Sequence, residues 1–334
     1  MGGGTAGLIL NTTMGLMHTI QYAVRNAADL ENQMTSVERI LEYSELESEE
    51  SPKEADSRLN VSPDWPLEGS IHFQDVCLTY ENSTNETLIE INCEIKGGER
   101  VGIVGRTGAG KSSLLAVLFR MHRFKGRVTI DGTDITTIPL HELRRNISII
   151  PQESIAFIGS VRKNLDPFSE HSDDRLWEVL EEVQLKDAVM EIPGRLDYEL
   201  SESGSNLSAG QRQLICLSRA ILRRSRILVL DEATANVDHR TDSLIQTAIR
   251  HHFQTSTLLT IAHRLNTIID CHRVMVLDSG RIQEFDRPYL LLQNTNGMFY
   301  KLVQQTGPEM STHLMSLAKQ AFHETQEVTQ HNAK

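Results

Sequence analysis

The chain has 334 residues, with 33 basic against 45 acidic side chains for a net charge of −12, and that length allows one or two domains with cores of their own. At 39% hydrophobic and 23% charged residues it falls in the globular range, which excludes wholesale disorder, collagen-like repeats and a multi-span membrane protein. The acidic balance argues against nucleic acid as a partner, since that footprint is a basic face, although a local patch can hide within an average.

The opening MGGGTA lacks the basic start of a signal peptide, and Ala6 stands where a myristoylation pattern needs Ser or Thr. Residues 5–24 are mostly apolar but carry Asn11, Thr12, Thr13, His18 and Gln21, each costly against lipid. Leu16, Ile20, Ala23, Ala27, Leu30, Met34, Val37 and Leu41 follow in alternating steps of four and three, the heptad spacing of one long helix. Periodicity leaves open whether that helix is a wet-faced membrane span or a soluble coiled-coil arm. Residues 44–69 break the pattern with SELESEESPKEAD and with Pro52, Pro63 and Pro66, which reads as an acidic linker.

Beyond the linker, the β-branched runs ERVGIVG, GRVTIDG, RILVLDE, TLLTIAH and RVMVLDSGRI alternate with amphipathic stretches. This is the rhythm of an α/β fold with a largely parallel sheet. Asp278-Ser279-Gly280 predicts a hairpin turn into RIQEF. After about Gln305 the chain turns polar, so residues 306–334 are expected to be a flexible tail. Cys77, Cys93, Cys216 and Cys271 include no pair at zinc or redox spacing and are read as free thiols.

The strongest chemical signal is Gly105-Arg106-Thr107-Gly108-Ala109-Gly110-Lys111-Ser112-Ser113, between the apolar strand VGIV and the helical spacing of LLAVLFRM. Glycines let such a loop turn its N–H groups toward phosphates, a helix N-terminus adds positive potential, Lys111 reaches the β and γ phosphates, and Ser112 can ligate Mg²⁺. A second signal is RILVLDE, an apolar strand ending in Asp231 and Glu232. Asp231 suits an acid holding Mg²⁺ through water, and Glu232 suits a base that polarises attacking water.

Between these lies Leu207-Ser208-Ala209-Gly210-Gln211, opening a helix with apolar spacing. By itself this is an N-capped helix. In this order and position it resembles the signature motif of ATP-binding cassette proteins, in which one domain's signature caps the γ-phosphate held by another's P-loop. The resemblance implies a P-loop NTPase fold of cassette type: α/β, with a mostly parallel core sheet, an antiparallel β subdomain and a helical subdomain, preceded by one long helix. It implies roles for four more positions. Tyr80 would stack on adenine. Gln152, in IIPQES, would contact Mg²⁺ or the attacking water. Asp238, in ATANVD, would cross between paired domains, and His263, in TIAHRL, would contact the γ-phosphate.

VGIVGRTGAGKSSL, SIIPQES, KNLDPF, ESGSNLSAGQRQL, DEATANVD and TIAHRLNTIID together are similar to the second nucleotide-binding domain of the multidrug-resistance-associated, subfamily C exporters. The N-terminal helix ending ENQMTSVERILEY resembles their last transmembrane helix and its cytosolic extension, which favours the spanning reading. PYLLLQN and FYKLVQQ narrow the similarity to the fourth branch of that group. Ala209 replaces a glycine common in cassettes, at a place where this subfamily accepts small residues.

The domains expected are therefore a partial transmembrane domain over 1–43, the linker over 44–69, a nucleotide-binding domain over 70–305 and the tail over 306–334. The resemblance implies ATP and Mg²⁺ as ligands and ATP hydrolysis as the reaction. It implies a first nucleotide-binding domain paired head to tail and transmembrane domains as partners. The location would be a membrane, in particular the plasma membrane, with the cassette on its cytoplasmic face. Export of organic anions, conjugates or drugs is the expected function, with a nucleotide-gated channel or regulatory subunit as the alternative. A chromosome or repair cassette would carry long heptad arms or zinc cysteines within its core, and a GTPase would carry Asn-Lys-x-Asp; the sequence has neither.

Overall fold

In a computed structural model, residues 2–46, 48–50, 61–62, 64–81, 83–231, 237–262 and 264–331 are described. The chain divides into two units, Met1–Ser57 and Arg58–Lys334.

The first unit is the helix α1 (Gly3–Ser44), in which no residue is buried. Its threonines return their hydroxyl hydrogens to the helix, Thr13 Oγ1 to the Ile9 carbonyl at 2.7 Å and Thr19 Oγ1 to Gly15 at 2.9 Å, so these polar groups are satisfied internally. The long helix expected from the heptads is present. Among the described residues, however, no helix is long and apolar enough to cross a membrane. Hydropathy therefore does not support the spanning segment expected over 5–24: Asn11, His18 and Gln21 dilute a stretch that has the length but not the apolarity.

The second unit holds two main sheets and a short antiparallel pair, β7 (Gly159–Ser160) with β8 (Glu199–Leu200). β1 (Ile71–Leu78), β2 (Leu88–Ile95), β4 (Phe124–Ile130) and β5 (Thr133–Asp134) form an antiparallel sheet in the order β2-β1-β4-β5. β3 (Arg100–Gly105), β6 (Ile147–Ile150), β9 (Ile227–Asp231), β10 (Thr257–Ile261), β11 (Arg273–Asp278) and β12 (Arg281–Asp286) form the second, in the order β12-β11-β3-β10-β9-β6. Its strands are parallel except β12. Continuous apolar runs suit strands buried on both faces, and Val101–Val104 and Ile227–Leu230 are buried throughout. GRVTIDG departs from expectation: it supplies β4 of the antiparallel sheet, because its partner is β1 and not a parallel neighbour.

Three apolar clusters pack around these sheets. One joins the antiparallel sheet to the helix α2 (Lys111–Leu118). A second packs β6 and β9 against helices that include α7 (Ala209–Arg223) and α8 (His239–His252); α3 (Leu140–Asn146), α4 (Val161–Leu165), α5 (Asp173–Glu182) and α6 (Lys186–Glu191) lie between α2 and α7 in sequence. The third backs β3 and β11 with α9 (Pro288–Gln293), α10 (Met298–Gln304) and α11 (Pro308–His331).

α11 corrects the expected flexible tail. Ser311, Leu314 and Ala318 are buried at 3%, 1% and 2% exposure, and the Phe322 ring lies 4.9 Å from that of Tyr289. Leu314 and Ala318 are four residues apart, one helical face, and that stripe docks a segment whose average composition is polar.

Candidate functional site

Register brings the chemical motifs to one edge of the parallel sheet. Ile103 on β3 pairs with Ile261 on β10, and Ile261 pairs with Asp231 on β9. Leu230 pairs with Ile150 on β6. The P-loop leaves β3, the segment containing His263 leaves β10, Asp231 ends β9, and Pro151-Gln152 leaves β6, all at the C-terminal edge of adjacent parallel strands. Open α/β sheets bind ligands there. Glu232 and His263 lie outside the described residues, directly after Asp231 and Ala262 in the chain.

The P-loop forms as its glycines predict. Gly108 and Gly110 have φ of +81° and +102°, and Gly110 is the N-cap of α2. Gly105 is required by close approach, since a Cβ there would meet the Leu277 carbonyl oxygen at 2.2 Å. Arg106, Thr107 and Gly108 are exposed at the rim, while Ala109, Gly110 and Lys111 are buried. Lys111 Nζ donates to the Gly105 carbonyl at 2.9 Å and the Arg106 carbonyl at 3.2 Å, so its ammonium is folded back under the loop. Ser112 is exposed and Ser113 is buried.

Tyr80 is half-buried beside α2. Its hydroxyl lies 2.9 Å from Ser113 Oγ, and its ring meets His122 edge-on at 4.7 Å. The aromatic expected near adenine is thus tied to the helix that starts at the P-loop. Gly280, which sequence reasoning placed only in a turn, holds the loop from the other side. Its N–H donates to the Ala109 carbonyl at 3.1 Å, and its own carbonyl accepts from Ile89 N at 2.8 Å. Spacing alone could not reveal this contact between the hairpin tip and the P-loop.

At the signature, Ser208 caps α7 through a reciprocal pair. Gln211 N donates to Ser208 Oγ at 3.1 Å, and Ser208 N donates to Gln211 Oε1 at 2.9 Å, the capping-box arrangement. Leu207 is buried in the helical cluster, not the P-loop cluster. Gly210 admits α8, since a Cβ there would meet Thr241 Oγ1 at 3.2 Å. Asp238 caps α8, accepting from the Thr241 amide at 3.2 Å and hydroxyl at 2.7 Å. Those donors, the hydroxyl first, lower its carboxyl below the usual range.

Two neighbours were missed in the sequence. Gln213, 2% exposed, donates Nε2 to the Pro151 carbonyl at 3.3 Å, tying the signature helix to the segment that carries exposed Gln152. Arg219 Nη1 donates to the Ile155 carbonyl at 2.7 Å, and its Nη2 to Asn164 Oδ1 at 2.9 Å. Burial lowers its pKa, opposed by Cys216. Helical spacing had marked this face only as apolar.

Asp231, half-buried at the end of β9, exposed Ser112 and Gln152 offer few and hard oxygen donors, the set that suits Mg²⁺, which keeps much of its water. Among the described residues no group of three or more His, Cys, Asp or Glu could hold a metal by itself.

Residues 88–235 match the ABC transporter family. The chain is 54% identical over 319 residues to "ATP-binding cassette sub-family C member 4" of Mus musculus and of Homo sapiens, covering 96% of this chain and 24% of each relative. It is 49% identical over 323 residues to "Probable multidrug resistance-associated protein lethal(2)03659" of Drosophila melanogaster, covering 96% and 23%. The chain thus spans about a quarter of the length of the curated relatives it matches. Among solved structures, a bacterial Atm1-family ABC exporter with ATP bound is similar at a TM-score of 0.72 and 30% identity, over 82% of this chain and 47% of that one. The chain carries an ABC transporter ATP-binding domain, a P-loop ATPase, and is similar over 96% of its length to sub-family C relatives.

Proposed function

We propose that this domain is the second of two nucleotide-binding domains in an exporter of organic anions, conjugates or drugs, and that it uses Mg²⁺ and pairs head to tail with a first domain. The observation that carries the reading is the convergence of the P-loop, Asp231 and the Gln152 segment on one sheet edge, with the signature helix tied to that segment through Gln213.

ATP would lie along Gly105–Ser113 with its adenine on Tyr80. Lys111 would exchange its carbonyl partners for β and γ phosphate oxygens. Ser112, Asp231 and Gln152 would hold Mg²⁺, whose charge offsets that of the phosphates. Glu232 would orient water for in-line attack, and His263 and Lys111 would stabilise charge on the γ-phosphoryl group. The signature faces the partner's nucleotide: the Ser208 hydroxyl oxygen accepts within its own cap, leaving its hydrogen free to donate to a γ-phosphate. Asp238 would contact the partner across the dimer.

The partial transmembrane domain over 1–43 would pack the polar positions of α1 against neighbouring helices, away from lipid. Ile155, Phe157 and Ile158, exposed at 52%, 62% and 68% just after Gln152, form an apolar surface suited to a transmembrane partner. On this reading the cassette would sit at the cytoplasmic face, in the plasma membrane. The linker over 44–69 and cassette over 70–305 follow from the same reading, with α11 (Pro308–His331) now assigned to the cassette.

The experiment replaces the C-terminal quarter of a sub-family C exporter with this chain in inside-out vesicles. ATP-dependent accumulation of an organic anion, abolished by Glu232→Gln, is expected. ATP turnover with no accumulation would refute export.

A further inference from the structure

A basic groove lies at the opposite edge of the parallel sheet, where β6 and β9 begin. It encloses about 930 Å³, within the range of small-ligand sites. Arg144, Arg145, Arg223, Arg224 and Arg226 line it against two carboxylates, Asp64 and Glu170, with Trp65 among its walls. A second cavity, of about 470 Å³, adjoins Arg224 and Arg226 from the other side, where Arg175 is paired with Glu182 at 3.2 Å. In a chain of net charge −12, this concentration of cations stands against the average.

Not all of these charges have occupations in the fold. Arg144 donates to the Phe119 and Arg120 carbonyls, and Arg145 pairs with Glu170 at 2.6 Å. Among the described residues, the Arg226 side chain reaches only Thr255 Oγ1, at 3.4 Å. The side chains of Arg223 and Arg224 make no hydrogen bond or ion pair with any described residue. The C-terminal dipole of α7 accounts for a cation at Arg223, but that field fades within the last turn. It does not account for Arg226, which lies beyond the helix just before β9.

The geometry points to a binding site in this groove for a compact ligand bearing several phosphate groups. Guanidinium forks match phosphate oxygens two at a time, and three adjacent arginines without carboxylate partners call for more than one negative charge. A phosphoinositide headgroup and a free inositol polyphosphate share this chemistry. The groove lies at the opposite edge of the sheet from the P-loop, so its occupancy is separable from ATP binding.

The test titrates the full chain with inositol hexakisphosphate, and separately with phosphatidylcholine vesicles containing phosphatidylinositol bisphosphate, at about 0.15 M salt. In a Trp177→Phe background, fluorescence of Trp65, whose Nε1 donates to the Ile130 carbonyl, reports on the groove. Binding tighter than about 100 μM is expected to at least one probe. Lys111→Ala should retain it, and the triple variant Arg223→Gln, Arg224→Gln, Arg226→Gln should weaken it at least tenfold with a shallower salt dependence. A control that removes three cations elsewhere, Arg123→Gln, Lys125→Gln, Lys301→Gln, should change it less than threefold. Response to the soluble probe alone or to vesicles alone identifies the source, and either supports the site. No binding to either probe, loss with Lys111→Ala, or equal effects of the two triple variants at unchanged urea midpoints overturns it.

Discussion

Leu314→Ala tests whether the C-terminal helix is part of the cassette core. Leu314 is 1% exposed, in a cluster that includes Val104 on the strand feeding the P-loop. The substitution removes three carbons, about 2.4 kcal/mol at ~0.8 kcal/mol per methylene. Incomplete collapse of the cavity brings the total to about 2.5–4 kcal/mol. For a folded unit of this size, that lowers the melting temperature by about 5–12 °C. The assay is thermal and urea unfolding of the full chain, followed by tryptophan fluorescence. Met310, 45% exposed on the same helix, supplies the control, and Met310→Ala should stay within ~0.5 kcal/mol of the parent. If Leu314→Ala is equally mild, the helix is not docked and the polar-tail expectation returns.

Gly280→Ala places a Cβ 2.4 Å from the Thr87 carbonyl oxygen at a φ of +76°, and because Gly280 holds Ala109, ATP should bind about fivefold more weakly, ~1 kcal/mol, as read by equilibrium titration. Tyr80→Phe and Ser113→Ala remove the two ends of one hydrogen bond, so a double-mutant cycle on stability should return a coupling of about 0.5–1.5 kcal/mol; additive effects would deny the contact. Gln213→Ala should cost about 1–3 kcal/mol through the Pro151 carbonyl it leaves unpaired, and Gln213→Glu should not restore stability, because a carboxylate cannot donate. Asp131 is raised by burial but lowered more by the Gly69, Ser70 and Glu68 amides and the Ser70 hydroxyl. With its folded pKa below the ordinary 3.8, its contribution is complete above that value and is lost as pH falls through the folded pKa. Urea midpoints of Asp131→Asn and parent should therefore converge at the acid end.

The fold was legible where one local signal sufficed. VGIV and ILVL are buried on both faces, so their unbroken apolar runs read directly as central strands. Ser279-Gly280 forms the expected turn, with both residues at positive φ. GRVTIDG carries the same local signal as a parallel strand, and only its pairing with β1 assigns it elsewhere. α11 was hidden because Leu314 and Ala318 define one narrow stripe in a polar segment. At the site, the motif residues were legible because phosphate binding dictates glycines and a lysine at fixed spacing. Gln213, Gly280 and Arg219 were not, because their roles depend on partners more than 50 residues away in sequence. α1 shows the limit from the other side, with heptads sufficient to give the helix while its polar positions fall short of a membrane span.

The central claim is that this P-loop holds an ATP that is hydrolysed when a partner domain completes the site. Its most direct test is Mg²⁺-dependent phosphate release by the full chain, alone and mixed with a sub-family C first nucleotide-binding domain, in parent and Glu232→Gln forms. Turnover that rises on mixing and disappears in Glu232→Gln is the predicted result. ATP binding without turnover in either setting, or an unchanged rate in Glu232→Gln, would contradict the account.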